Sequence, residues 1–236
     1  MGEFRAMPGV IAHNLFHRVG DMRTRVDVLR DVSLEAPAGR LTAVVGPSGA
    51  GKTSLLHVLA GLDRPAGGTL CVDERPLSGL NELELTRLRR ERIGLLLPAA
   101  SVLPTITVRE NVALPLLIAR REHDAATIDA LLDRVGLSAH RDDRAGELTP
   151  AERQRAALAR AIAGSPAVLL ADEPAGDLDP AEGAALHELL RDIAHEDGVT
   201  VVLFTRDAEA AAAVADRVVE LDGGRVVEPA AASLAA

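Results

Sequence analysis

The run Gly46-Pro47-Ser48-Gly49-Ala50-Gly51-Lys52-Thr53 fits the pattern G-x-x-x-x-G-K-[ST], behind a β-branched apolar stretch and ahead of a helical one. The chemistry of such a loop is phosphate capture. Glycines let successive backbone N–H groups curl around phosphate oxygens, and the following helix adds partial positive charge at its N-terminus. Lys52 is placed to reach the β- and γ-phosphates of a nucleoside triphosphate, and the Thr53 hydroxyl to ligate Mg²⁺. These eight residues, with Ser54 behind them, are the expected cofactor-binding set. An ordinary glycine-rich turn is the alternative, and the lysine count weighs against it. Lys and Arg together number 26, and Lys52 is the only lysine. The need for cations is met everywhere else by arginine; a compact ammonium stands here, where a planar guanidinium is no substitute.

The second chemical signal is Val168-Leu169-Leu170-Ala171-Asp172-Glu173, an apolar strand ending in two carboxylates. Asp172 would hold Mg²⁺ through water, and Glu173 would orient or deprotonate an attacking water. A strand ending in Asp-Glu is common by itself. Paired with the phosphate loop it points to phosphoryl transfer, with Lys52 and Glu173 as the catalytic residues and Thr53 and Asp172 at the metal.

These groups need rigid elements to position them. Leu41 to Val45 and Ile93 to Leu97 read as short buried strands, and Lys52 to Ala60 as a helix stopped by Gly61. Thr69 to Val72 is a strand, and Asn81 caps a polar helix through about Arg92. Helices follow near Val108 to Ala119 and Ala125 to Val135, and another starts at Thr149. Then come strand Ala167 to Ala171, helix Ala181 to Ala194, strand Val199 to Phe204, helix Ala208 to Val214 and strand Arg217 to Leu221. Asp222-Gly223-Gly224 turns into a last short strand. Strand–helix alternation in both halves implies a mainly parallel, doubly wound α/β sheet, interrupted by a helix-only insertion.

Composition narrows the class. Among 236 residues, 47% are hydrophobic but only 1% aromatic, with three Phe and no Trp or Tyr, so the core is aliphatic. A chain with almost nothing to stack on bases and a net charge of −9 is a poor nucleic-acid binder. One cysteine, Cys71, excludes an intrachain disulfide and a cysteine zinc site. No apolar run approaches the ~20 residues of a membrane span, and Met1 to Gly9 lacks a signal-peptide core. A cytoplasmic location is the expectation. The seven histidines do not cluster in metal-ligand spacing: His13, His123, His140, His187 and His195 are scattered, and His57 reads as a packed or surface residue.

The phosphate loop, Asp172-Glu173-Pro174, Leu178-Asp179 and the helix Arg153 to Ala161 together resemble the ATP-binding subunit of an ABC transporter, over about residues 9–228. Leu103-Pro104-Thr105-Ile106-Thr107-Val108-Arg109-Glu110-Asn111-Val112 and Ala113 to Leu116 are similar to the lipoprotein-releasing, macrolide-exporting and cell-division branch. The resemblance implies a P-loop NTPase (RecA-like) core, an inserted helical subdomain at roughly 98–163 and a small N-terminal antiparallel β part, with flexible ends at 1–8 and 229–236. It implies ATP and Mg²⁺ as cofactors, a homodimer or heterodimer with ATP between the subunits, and attachment to the inner face of the cell membrane through an integral-membrane permease. It also implies an aromatic residue against adenine, which falls on His17, with Phe16 adjacent.

Departures from the family pattern are equally specific. Where the family has Leu-Ser-Gly-Gly-Gln, this chain has Leu148-Thr149-Pro150-Ala151-Glu152. Thr149-x-x-Glu152 with Pro150 between reads equally as a capping box that starts a helix. The glutamine expected after the strand at 93–97 is Pro98, and Gln154 is the only glutamine in the chain. The expected Thr-His-Asp is Thr205-Arg206-Asp207, and an arginine cannot relay a proton at neutral pH. Binding of Mg-ATP with slow hydrolysis is the expectation. A weak or inactive nucleotide-binding subunit paired with a more active ATPase is the alternative, and a DNA-repair ATPase is disfavoured by the acidic charge. The apolar residues Val102, Leu103, Leu114, Leu116 and Leu117 form either a permease-facing groove or the core of the helical insertion, and Arg87 to Arg92 reads as a solvated helix face.

Overall fold

The computed structural model describes residues 8–20, 24–98, 102–121 and 124–227. The expected flexible ends and His123 lie outside the described residues, apart from Pro8 in the first strand. Strands β3 (Leu41–Val45), β6 (Ile93–Leu96), β7 (Val168–Asp172), β8 (Thr200–Thr205), β9 (Arg217–Asp222) and β10 (Arg225–Val227) build one six-stranded sheet. Its order is β10-β9-β3-β8-β7-β6, parallel except for the terminal hairpin β9–β10. Parallel strands buried on both faces read as continuous apolar runs, which is why β3, β7 and β8 are buried at every position. Alternation assigns the faces. Leu41, Ala43, Leu169, Ala171, Val201 and Leu203 join one core, and Val44, Leu170, Val202 and Phe204 join the other.

The second core is closed by α1 (Lys52–Leu59), α2 (Glu82–Arg92) and a four-stranded antiparallel sheet of order β2-β1-β4-β5. Here β1 (Pro8–Val19) and β2 (Val26–Pro37) are 12-residue strands, and β4 (Gly67–Val72) and β5 (Arg75–Pro76) are short. The N-terminal antiparallel part is thus larger than its sequence signal. The first core packs α6 (Pro180–Asp197) and α7 (Ala208–Val214) with the helices that separate β6 from β7. These are α3 (Val108–Ile118), α4 (Ala125–Arg134) and α5 (Pro150–Ile162). Their starts are chemically marked. Thr107 with Glu110 and Thr149 with Glu152 form capping boxes, and Asp124 caps α4.

Candidate functional site

The phosphate loop connects β3 to α1. Its crest, Pro47 to Gly49, is exposed, whereas Ala50 and Gly51 are buried and Ser54 is half-buried. Two glycines are sterically required. A Cβ on Gly46 would lie 2.1 Å from the Leu221 carbonyl oxygen, and Gly51 turns into the helix at φ +104°, with the Val28 carbonyl 3.1 Å from a Cβ there. Lys52 is buried, and its Nζ donates to the carbonyls of Gly46 at 2.6 Å and Pro47 at 3.2 Å. The ammonium thus folds back over the loop and reaches Glu173 Oε1 at 3.5 Å.

Asp172 and Glu173 arrive from the C-terminal end of β7, where open parallel sheets carry their ligand crevices. Asp172 Oδ2 accepts from Thr53 Oγ1 at 2.9 Å, while Oδ1 is buried without a partner. Burial pushes the Asp172 carboxyl up, and neighbouring Glu173 adds to this against the Thr53 bond and Lys52. A buried carboxylate oxygen lacking a donor beside a threonine hydroxyl suits a divalent cation. The residues therefore fit Mg²⁺, held as it usually is by one or two protein oxygens with phosphates and water completing the shell. Among the described residues there is no cluster of three or more His, Cys, Asp or Glu that would form an all-protein cage.

Glu173 adopts φ +43°, a left-handed conformation that side-chain-bearing residues rarely hold. It is fixed there by its N–H bond to the Phe204 carbonyl. Its Oε2 accepts from Thr205 Oγ1 at 3.3 Å and from the Arg206 N–H at 3.2 Å, and Arg206 Nε lies 3.3 Å from Oε1. Lys52, Thr53, Asp172, Glu173, Arg206 and Pro98 converge on one cavity of about 340 Å³. Such a chamber can bind a nucleotide's phosphates and metal and hold a carboxylate against water.

Comparison with known proteins agrees with that chemistry. The family described as ABC transporter matches residues 29–176, more than half of the chain. This protein belongs to the ABC transporter family. Its relatives include the lipoprotein-releasing system ATP-binding protein LolD of Myxococcus xanthus, 47% identical over 86% of this chain and 92% of that protein. LolD of Bordetella pertussis is 40% identical over 93% of this chain and 95% of that one. A dimeric ATP-binding cassette in a post-hydrolysis state, bound to ADP and Pi, superposes with TM-score 0.84 at 30% identity, covering 93% of this chain and 97% of that one.

This ABC ATP-binding subunit departs from expectation at His17. The imidazole is buried, with Nε2 3.4 Å from Asp63 but no hydrogen bond at either ring nitrogen, and it does not line the phosphate cavity. The cause is a bulge. Register shifts between Ala12 and Leu15, where Asn14 takes φ +48°, so strand parity flips. Leu15 and His17 then face inward and Phe16 is 42% exposed. His17 thus sits buried within the antiparallel sheet, apart from the phosphate cavity.

The remaining departures are arranged in two places. Pro98 and Arg206 line the phosphate cavity itself. The 148–152 segment forms the capping box: Thr149 N and Oγ1 both donate to Glu152 Oε2, at 2.8 and 2.9 Å. Those Thr149 bonds, with a smaller contribution from His140, hold the Glu152 carboxyl below its ordinary value. The apolar cluster also divides. Val102 and Leu116 are buried in the core, Leu114 is half-buried, and Leu103 and Leu117 are exposed at 45% and 57%. The arginine-rich face of α2 is internally paired, Arg87 with Glu91 and Arg92 with Asp73, and Arg89 donates to the Gly61 carbonyl. Sequence reasoning missed Val28, which lines the phosphate cavity and comes from a strand with no motif of its own.

Proposed function

We propose that this chain is the ATP-hydrolysing subunit of a lipoprotein-releasing type of membrane assembly, slow as a homodimer and coupled to an integral-membrane permease. The observation that carries the reading is the convergence of Lys52, Thr53, Asp172 and Glu173 on a single cavity with an unpartnered Asp172 oxygen. Gly46 to Ser54 cradle the phosphates, and Lys52 turns from the loop carbonyls toward the γ-phosphate. Thr53 and Asp172 would hold Mg²⁺, which would supply charge neutralisation to the phosphates. Glu173 orients the attacking water and accepts its proton. Relatives named as lipoprotein-releasing ATP-binding proteins over nearly their whole length support the assembly type. No helix among the described residues is long and apolar enough to cross a membrane, so the reading places the chain on the cytoplasmic face, held by the permease.

Slow turnover rests on Pro98, Arg206 and the capped Thr149. In a site whose catalysis is positioning and charge stabilisation, each lost contact can cost about 10²-fold. The Thr149 hydroxyl committed to Glu152, and a permanent cation on Glu173, also favour a second reading: a nucleotide-binding subunit that partners a more active ATPase. One measurement separates them: Mg-ATP hydrolysis by the native assembly captured on this chain, with Glu173→Gln as the blank. Turnover that disappears in the blank supports the first reading. Turnover unchanged in the blank assigns hydrolysis to another subunit. A homodimer turning over at about 1–10 s⁻¹ refutes the slow-hydrolysis reading.

A further inference from the structure

A second cavity of about 280 Å³ lies between α5 and the loop that follows β7, and it shares Pro98 and Glu173 with the phosphate cavity. Its wall includes Pro98, Pro150 and Pro174, none of which has an N–H to offer, and the acidic residues Glu173 and Asp177. The donors are on α5. Arg153 commits Nη1 to the Leu148 carbonyl at the helix start and, as a guanidinium, can only donate. Gln154, the chain's only glutamine, is 9% exposed, and its side-chain amide makes no hydrogen bond among the described residues. Its polar atoms are not sealed in protein, since they are absent from the fully enclosed unpartnered groups, which include Asp172 Oδ1 and His187 Nε2. An uncommitted amide on a helix, nine-tenths buried, thus lines a chamber that shares Glu173 with the phosphate cavity.

We infer that Gln154 is a positioning residue for hydrolysis, joined to Glu173 through water in this cavity. The space accommodates several waters, and a water needs two or more polar partners. A neutral amide can donate to a water held by Glu173 while accepting from another, which neither the proline and carboxylate walls nor the donor-only Arg153 can do. The second turn of α5 begins just beyond the Thr149–Glu152 box, so a shift of the helical insertion moves the amide relative to β7. Gln154 therefore ties the position of the insertion to the aim of Glu173.

The inference rests on the proposed hydrolytic reading, and the test keeps the two apart. Turnover of the purified assembly is measured for wild type, Glu173→Gln, Gln154→Met, Gln154→Glu, Pro98→Gln and Gln154→Met with Pro98→Gln. Gln154→Met, which keeps length and removes the amide, is expected to lower kcat about 10-fold at unchanged KM and Tm. Pro98→Gln alone is the reference for the double variant, and Gln154→Met is expected to cost less in that background than in the wild-type one, because both residues line the cavity. Gln154→Glu keeps the shape and donates only when protonated; burial and the neighbouring acids Glu173 and Asp177 raise a carboxyl at this position, so its rate relative to wild type is expected to climb as pH falls from about 8 to about 5. That readout stands even where the methionine variant folds poorly. A wild type faster than Glu173→Gln, with Gln154→Met undiminished or Gln154→Glu flat against pH, overturns the inference alone. A wild type no faster than Glu173→Gln overturns the hydrolytic reading, and the inference falls with it.

Discussion

Replacing Lys52 with arginine keeps the charge and tests whether the single lysine has a chemical reason. Lys52 is 7% exposed, and its ammonium sits 2.6 and 3.2 Å from two loop carbonyls and 3.5 Å from Glu173. These three partners converge on one atom. A guanidinium distributes its donors over a planar fork and cannot direct them to a common point. It also brings extra volume into a packed turn, which costs typically 1–3 kcal/mol. For a chain of this size that corresponds to a Tm lowered by about 2–12 °C. The assay is thermal unfolding of Lys52→Arg and wild type, each with and without Mg-ATP. Ligand at about 100 times Kd adds about 2.7 kcal/mol to a binding-competent protein, so wild type is expected to gain several degrees. The variant is expected to start lower and gain little. An arginine variant with the wild-type Tm and the full ligand increment refutes the argument, because the loop would then accept a fork where the geometry demands a point.

Gly46→Ala is expected to abolish cooperative unfolding, because its Cβ would meet the Leu221 backbone oxygen at 2.1 Å and neither strand β3 nor β9 can retreat; circular dichroism melting checks it. Leu103→Asp is expected to leave Tm within a degree or so while weakening capture of the membrane partner, since Leu103 is 45% exposed and surface substitutions usually cost within about 0.5 kcal/mol; loss of the folded state would return Leu103 to the core instead. Burial acts to raise the Asp216 carboxyl, but His195, the Leu41 N–H and Arg40 outweigh it and hold the group below its ordinary value. A depressed folded-state pKa contributes stability above the unfolded value and loses it as pH falls. Asp216→Asn is thus expected to lower Tm near neutral pH, with the difference closing below about pH 4, as a melting series across pH would read.

What the sequence discloses depends on how locally each feature is encoded. β3, β7 and β8 are legible because burial on both faces forces unbroken apolar runs, and the phosphate loop because its glycines and Lys52 are contiguous. β1 and β2 are harder to see. They form a half-exposed pair in which Arg18 and Asp27 bond across the exposed face and bulges break the alternation. His17 shows the consequence. Straight alternation from buried Ala12 sends Phe16 inward and His17 outward, and the bulge at Asn14 reverses both. Gln154 illustrates the opposite limit. In the linear pattern it cannot replace a glutamine at Pro98, yet α5 brings it to a cavity that Pro98 also lines.

On the proposed reading, Glu173 is the point at which the binding and catalytic halves of the site meet. Its Oε1 lies between Lys52 at 3.5 Å and Arg206 at 3.3 Å, and both cations are also groups that an incoming γ-phosphate would attract. Substrate and carboxylate thus compete for the same two charges. As Lys52 turns to phosphate, the clamp on Glu173 loosens by one partner. Arg206 remains, because a guanidinium keeps its proton at any pH the protein meets. A titratable residue there could release the carboxylate once it lost its charge. Arg206 can let go only by moving, and its side chain is 60% exposed, with room to do so. On the slow-hydrolysis reading proposed above, the brake is then geometric, set by the position of the loop after β8.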